Sequence, residues 1–148
     1  MFHFRRIARI LVLCLIFSTM VSIPAALAGS DTLTAENCNY PTAVVEGKAF
    51  SLRGIIRSES SKIVRLEAGV YNSSGKMLTG RSWNPNAKSV DIRWYVNPYV
   101  KFGTLGDGTY IYKITATNGS AKETLVSAEF VVTPAPAVAD ALKSSGLN

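Results

Sequence analysis

Leu105-Gly106-Asp107-Gly108-Thr109-Tyr110-Ile111-Tyr112-Lys113-Ile114-Thr115-Ala116 is the stretch that decides the fold class. Its first six residues have the form L-x-x-G-x-Y. Gly106 and Gly108 permit a tight turn. After it, Tyr110, Tyr112, Ile114 and Ala116 alternate with Ile111, Lys113 and Thr115, the period of a strand with one buried face. A tyrosine at the start of such a strand can put its ring into the core and return its hydroxyl to upstream backbone, the tyrosine corner of two-sheet domains. A buried phenol needs such a partner, because an unpaired hydroxyl is costly. Leu105, Gly108 and Tyr110 are therefore expected to be structural.

The same alternation spreads outward in both directions. Val64, Leu66, Ala68 and Val70 alternate with Arg65, Glu67, Gly69 and Tyr71. Asn72-Ser73-Ser74-Gly75 is a hairpin signal leading into residues 77–81. Val90, Ile92 and Trp94 alternate with Asp91 and Arg93, which assigns Trp94 to the core and points Tyr95 outward. Asn118-Gly119 makes another turn before a last strand over residues 124–132, with Val126, Ala128, Phe130 and Val132 on one face. Toward the N-terminus, residues 42–45 read as an edge strand. Residues 49–57 read as a second strand, with Phe50, Leu52 and Ile56 on one face. Asn84-Pro85-Asn86 and Asn97-Pro98 interrupt the pattern, since proline does not sit in central strands. Phe102 and Leu105 read as core anchors of an irregular crossing. No stretch of this body has the spacing of a substantial helix. About seven short strands in roughly ninety residues predict an all-β fold, a single Ig/Fn3-like β-sandwich.

The first 28 residues read differently. Arg5, Arg6 and Arg9 form a positive region, residues 10–17 an apolar one, and Ala26-Leu27-Ala28 a small-x-small cleavage site after Pro24. This is the pattern of a cleaved signal peptide, and the apolar run is short for a membrane span; an uncleaved anchor is the alternative. The expected division is a signal peptide at 1–28, a flexible lead-in at 29–40, the sandwich at 41–133, and a Pro/Ala-rich tail at 134–148. The expected location is secreted, extracellular and cell-wall associated, with no membrane span after cleavage.

Removing the leader changes the chemistry available. Three of the 16 basic residues and none of the 10 acidic ones lie in it, so the remainder carries +3 rather than +6. The remaining bases are scattered rather than striped, which argues against a nucleic-acid partner. His3 and Cys14 also go with the leader. The mature chain then has no histidine and one cysteine, Cys38. Histidine-dependent triads and histidine metal sites are excluded, and no metal or cofactor is expected. Cys38 is read as an incidental thiol, with intermolecular pairing as the alternative.

The segment from Pro41 to Thr133 resembles the Ig-like, fibronectin-III-like accessory modules found beside peptidoglycan hydrolases of Gram-positive bacteria. The stretches that carry the likeness are Pro41-Thr42, Glu46-Gly47-Lys48-Ala49-Phe50-Ser51-Leu52-Arg53-Gly54 and Gly69-Val70-Tyr71-Asn72-Ser73-Ser74-Gly75-Lys76. Further on come Asn84-Pro85-Asn86-Ala87-Lys88-Ser89, Val100-Lys101-Phe102-Gly103-Thr104-Leu105 and the residues from Gly108 to Ala116. The resemblance implies an accessory role at the cell envelope rather than catalysis. The chain departs from that pattern in having no hydrolase segment beside the module, which implies action alone or in trans.

Candidate ligand-binding residues follow from composition and position. Sugar C–H groups stack on aromatic faces, and Trp83, Tyr95 and Tyr99 are the candidates for a glycan platform. The competing reading has them capping the ends of the sandwich. Arg53, Arg57, Arg65 and Lys62 are candidates for meeting wall phosphates, against the plainer reading of solvated charges. Glu46, Glu59, Glu67, Asp91, Asp107, Glu123 and Glu129 show no pattern marking a glycosidase pair, and no catalytic residue is expected. Asn72-Ser73-Ser74 and Asn118-Gly119-Ser120 match a glycosylation acceptor but read as turns. The leading expectation is a secreted non-catalytic module that binds wall polymer or an envelope protein. The alternative is a structural spacer pairing through a sheet edge or Cys38, and a small wall hydrolase is third.

Overall fold

A computed structural model describes residues 31–119 and 121–137 of the 148-residue chain. The expected leader at 1–28, with His3 and Cys14, and the tail beyond residue 137 lie outside the described residues. Eight strands are described: β1 (Leu33–Glu36), β2 (Ala43–Val45), β3 (Ile55–Ser58), β4 (Arg65–Tyr71), β5 (Met77–Trp83), β6 (Ser89–Asp91), β7 (Gly108–Thr117) and β8 (Lys122–Thr133). One short helix, α1 (Ile92–Tyr95), follows β6, and a 3-10 turn covers Phe102–Thr104. The protein is all-β, and its strands form two sheets, β1-β3-β6 and β2-β8-β7-β4-β5. Every pairing is antiparallel except β2 with β8.

Period-two patterning is what lets two sheets share one core. Leu66, Ala68 and Val70 of β4, Tyr112, Ile114 and Ala116 of β7, and Phe130 and Val132 of β8 are all buried. The small sheet contributes Leu33, Ile56 and Val90 to the same cluster. Phe102 sits among Phe50, Phe130 and Tyr112, with ring centroids 5.5, 5.5 and 6.0 Å away. Tilted and edge-on contacts of this kind each contribute about 0.5–1.5 kcal/mol beyond area burial. Leu52, Ile63 and Leu105, all outside the strands, complete the packing.

The turns follow their side-chain chemistry. Between β4 and β5, Asn72 Oδ1 accepts from Ser74 N, Ser74 Oγ and Lys76 N, and Gly75 takes a φ of +79°. Before β7, Tyr110 Oη donates to Gly106 O at 3.0 Å. Gly108 there has a φ of +146° and lies against the Tyr110 ring.

Three expectations are corrected. Residues 29–40 are not wholly a loose lead-in, because residues 33–36 are β1, paired with β3 from Leu33↔Ser58 to Glu36↔Ile55. The anchor is polar, which hydrophobic patterning cannot register. Asp31 accepts hydrogen bonds from Ser58 Oγ, Ser60 N, Ser61 N and Ser61 Oγ, and Asn118 Nδ2 donates to Asp31 O. The expected strand over 49–57 is confined to Ile55–Ser58, because Gly54 takes a φ of +132° and breaks the extended run. Trp94 is not a core residue but 71% exposed, because the chain turns helical at Ile92 and leaves the register of Val90. Among the described residues no helix is long and apolar enough to cross a membrane.

Candidate functional site

The exposed aromatics Trp94, Tyr95 and Tyr99 lie where β6 gives way to a helical turn, whereas Tyr40, also exposed, precedes β2. Asp91 caps this turn, its Oδ1 accepting from Arg93 N at 2.8 Å. Val96 N donates to Ile92 O at 2.9 Å, and Val100 N to Val96 O at 3.1 Å. Ile92, Val96 and Val100 are therefore one helical turn apart, and all three are buried. With that stripe fixed inward, the intervening residues must face out: Trp94, Tyr95 and Tyr99 are 71%, 37% and 44% exposed. Tyr95 and Tyr99, four residues apart, fall on the same side of the turn. The change of period at Ile92 is why Trp94 left the register of Val90. The missed signal was I-x-x-x-V-x-x-x-V behind an aspartate cap, hidden because Val90 and Ile92 also fit a strand.

Strand β5 supplies the other half of the surface. Thr79 Oγ1 donates to Tyr99 O at 3.1 Å and accepts from Lys101 N at 2.9 Å, which pins the turn against the strand. Trp83 and Tyr99 meet edge to face, 5.7 Å apart at 65°. The Arg81 guanidinium lies over both rings, 4.6 Å from Tyr99 and 5.8 Å from Trp83. Of the three candidate platform residues, Trp83 and Tyr99 are thus in contact, but not as one flat shelf. Tyr95 has no ring contact with either. Trp83 is half-buried against the core. Trp94 is the largest exposed aromatic face of the group.

The other candidates separate by their partners. Arg57 pairs with Glu36 at 2.9 Å and Arg65 with Glu67 at 3.4 Å, so two of the expected phosphate-binding arginines already have carboxylates. Glu67 also accepts from Tyr71 Oη and Ser82 Oγ. Burial pushes the Glu67 carboxyl up, but these bonds together with Arg65 outweigh it and leave its pKa below the ordinary value. A general acid of a glycosidase needs the opposite shift. Burial, then Glu67, pushes the Tyr71 phenol up to about 12. Cys38 is half-buried, its thiol donates to Glu36 O at 3.6 Å, and burial raises its pKa. Among the described residues no three His, Cys, Asp or Glu side chains come together as a metal site requires.

Compared with known proteins, the sequence matches no family model, and no curated protein matches it.

Proposed function

We propose that this chain is a secreted, non-catalytic module with an Ig-like or fibronectin-III-like sandwich, working at a bacterial cell envelope and binding wall polymer or an envelope protein. The sandwich reading draws support from two sheets around one core and from the Tyr110 hydroxyl bonded to upstream backbone at the turn before β7. The single observation that carries the binding reading is Trp94, 71% exposed on a turn anchored by three buried residues. An indole in open solvent on a rigid mount suits stacking on sugar rings or an apolar protein contact.

Co-sedimentation of the purified protein with insoluble wall sacculi tests this. Wild type is expected to pellet with the walls, and Trp94→Ala to stay in solution while remaining folded. Equal pelleting of the two proteins overturns the role of the aromatic surface. No pelleting of wild type overturns wall binding and leaves a protein partner as the ligand.

A second reading, a spacer that pairs through a sheet edge, has one observation behind it. Strand β5 is an outer strand seven residues long, and unpaired edges template strand addition. The half-buried Cys38 thiol does not favour pairing through a disulfide. Concentration-dependent dimers in sedimentation velocity, lost on Thr79→Pro, are expected if β5 pairs.

A further inference from the structure

We propose that Arg53 and Arg93 form a binding site for an anionic group, a phosphodiester or carboxylate, carried on the wall polymer. This rests on the envelope-binding reading and names the chemistry of its ligand. The observation is one of register. Strands β3 and β6 pair antiparallel with Arg57 opposite Ser89, Ile56 opposite Val90, and Ile55 opposite Asp91. Ile92 N then donates to Gly54 O at 2.9 Å, which carries the register one step further. Arg53 and Arg93 are the next residues on either side of that bond. Both border one recess of about 360 Å³, lined also by Asn39, Ser51, Leu52 and Asn97.

Neither guanidinium has a partner among the described residues. Glu36 and Asp91 border the adjoining recess that Arg53 and Arg93 also line, but neither forms an ion pair with them: Glu36 pairs with Arg57, and Asp91 Oδ1 accepts from the backbone Arg93 N. Arg53 lies beyond the break at Gly54 and Arg93 in the turn after β6, and theirs are the charged side chains lining this recess; a cleft lined by one sign of charge favours a counter-ion. Guanidinium groups match the geometry of planar and tetrahedral oxyanions, which they bind with paired N–H donors.

The recess is built rather than incidental. Asn39 Oδ1 accepts from Arg53 N at 2.7 Å, and Asn39 Nδ2 donates to Ser51 O at 2.9 Å. Asn97 Oδ1 accepts from Leu52 N at 3.0 Å, which leaves its amide nitrogen, without a partner among the described residues, as a further donor. These bonds fix the backbone that carries both arginines. Trp94 follows Arg93 directly on the same turn, so the exposed indole and the recess are one residue apart in sequence.

The test compares wild type, R53Q, R93Q, the double variant, W94A and, as a control, the ion-paired R57Q. One probe is inorganic phosphate, read as a shift in thermal midpoint. Phosphate is expected to raise the midpoint of wild type and R57Q but not of the double variant. The other probes are intact sacculi and sacculi stripped of phosphodiester polymer, which keep their peptide carboxylates. The double variant is expected to lose at least tenfold in affinity together with the salt sensitivity of binding. Loss of wild-type binding on stripping identifies the phosphodiester, and binding to stripped sacculi that still needs both arginines identifies the carboxylate. A double variant that responds to phosphate and binds walls like wild type overturns the proposal. Wall binding that W94A abolishes and the double variant retains overturns this site but leaves the envelope reading standing. A phosphate response that needs both arginines, without wall binding by wild type, supports the anion site and overturns the envelope reading.

Discussion

Tyr110 and Tyr112 stand two residues apart on the core-facing side of β7, yet only the first has a partner for its hydroxyl. Tyr110 Oη donates to Gly106 O at 3.0 Å, while Tyr112 Oη is fully buried with no partner among the described residues. The two phenylalanine substitutions should therefore differ in sign. Tyr110→Phe removes a hydrogen bond near the surface and should cost about 0.5–1 kcal/mol. Tyr112→Phe removes an unsatisfied buried hydroxyl and keeps the ring contact with Phe102, so stability should hold or rise by up to about 1 kcal/mol. Urea unfolding of both variants decides it; a Tyr112→Phe protein less stable than wild type contradicts the account.

Gly54 is confined by its backbone and by its neighbour together. Its φ is +132°, and an added Cβ would lie 2.6 Å from Cys38 Sγ and 2.7 Å from Cys38 Cα. Gly54→Ala should cost about 2–4 kcal/mol from strain plus overpacking. Because the clash includes Cys38 backbone, adding Cys38→Ala should recover little of the loss. Full recovery in the double variant would show that only the thiol was in the way.

Asp31 links acid stability to the seating of β1. Its carboxylate pKa is held below the ordinary value, first by the Ser61 hydroxyl, against the opposing effect of burial, and then by Ser60 N, Ser61 N and Ser58 Oγ. A carboxyl with a lower pKa in the folded state stabilises the fold above its unfolded pKa. That contribution is lost as pH falls through the folded value. Its share should therefore be constant from neutral pH down to about 4 and decline below. Asp31→Asn should be less stable than wild type at pH 7, and the gap should narrow toward pH 2. A gap independent of pH would assign the loss to geometry rather than to charge.

Trp83 and Trp94 should separate stability from binding. Trp94→Ala removes an exposed ring and should change stability by less than about 0.5 kcal/mol. Trp83→Ala removes a half-buried ring that touches Tyr99 and Arg81, and should cost about 2 kcal/mol, less than a fully buried tryptophan. Under the proposed function, Trp94→Ala loses ligand with its thermal midpoint unchanged, whereas Trp83→Ala lowers both. A large fall in midpoint for Trp94→Ala would mean that its ring packs against the protein.

The strands of the larger sheet were legible because period two is a local property. Leu66, Ala68 and Val70, and Tyr112, Ile114 and Ala116, announce their buried face with no knowledge of what covers it. Two elements were illegible for opposite reasons. Residues 33–36 lack enough apolar residues to signal a strand, since Asp31, Ser58 and Asn118 seat that end of the chain through polar bonds. Residues 90–94 signalled one too strongly, since Val90, Ile92 and Trp94 fit a strand, while only Asp91 and the spacing of Ile92, Val96 and Val100 mark the turn.

The sequence alone determined the all-β class, the hairpin turns at residues 72–75 and 118–119 and most of the core, because alternation, glycine and asparagine act over a few residues. Only the tertiary structure decided what each surface group does. Arg57 finds Glu36 21 residues away, while Arg53 and Arg93, 40 positions apart in sequence, border one recess. Those outcomes depend on the register between distant strands. A shift of one residue would exchange every partner and turn Ile56 and Val90 out of the core, so burial across the whole sheet sets the register rather than any one segment read by itself.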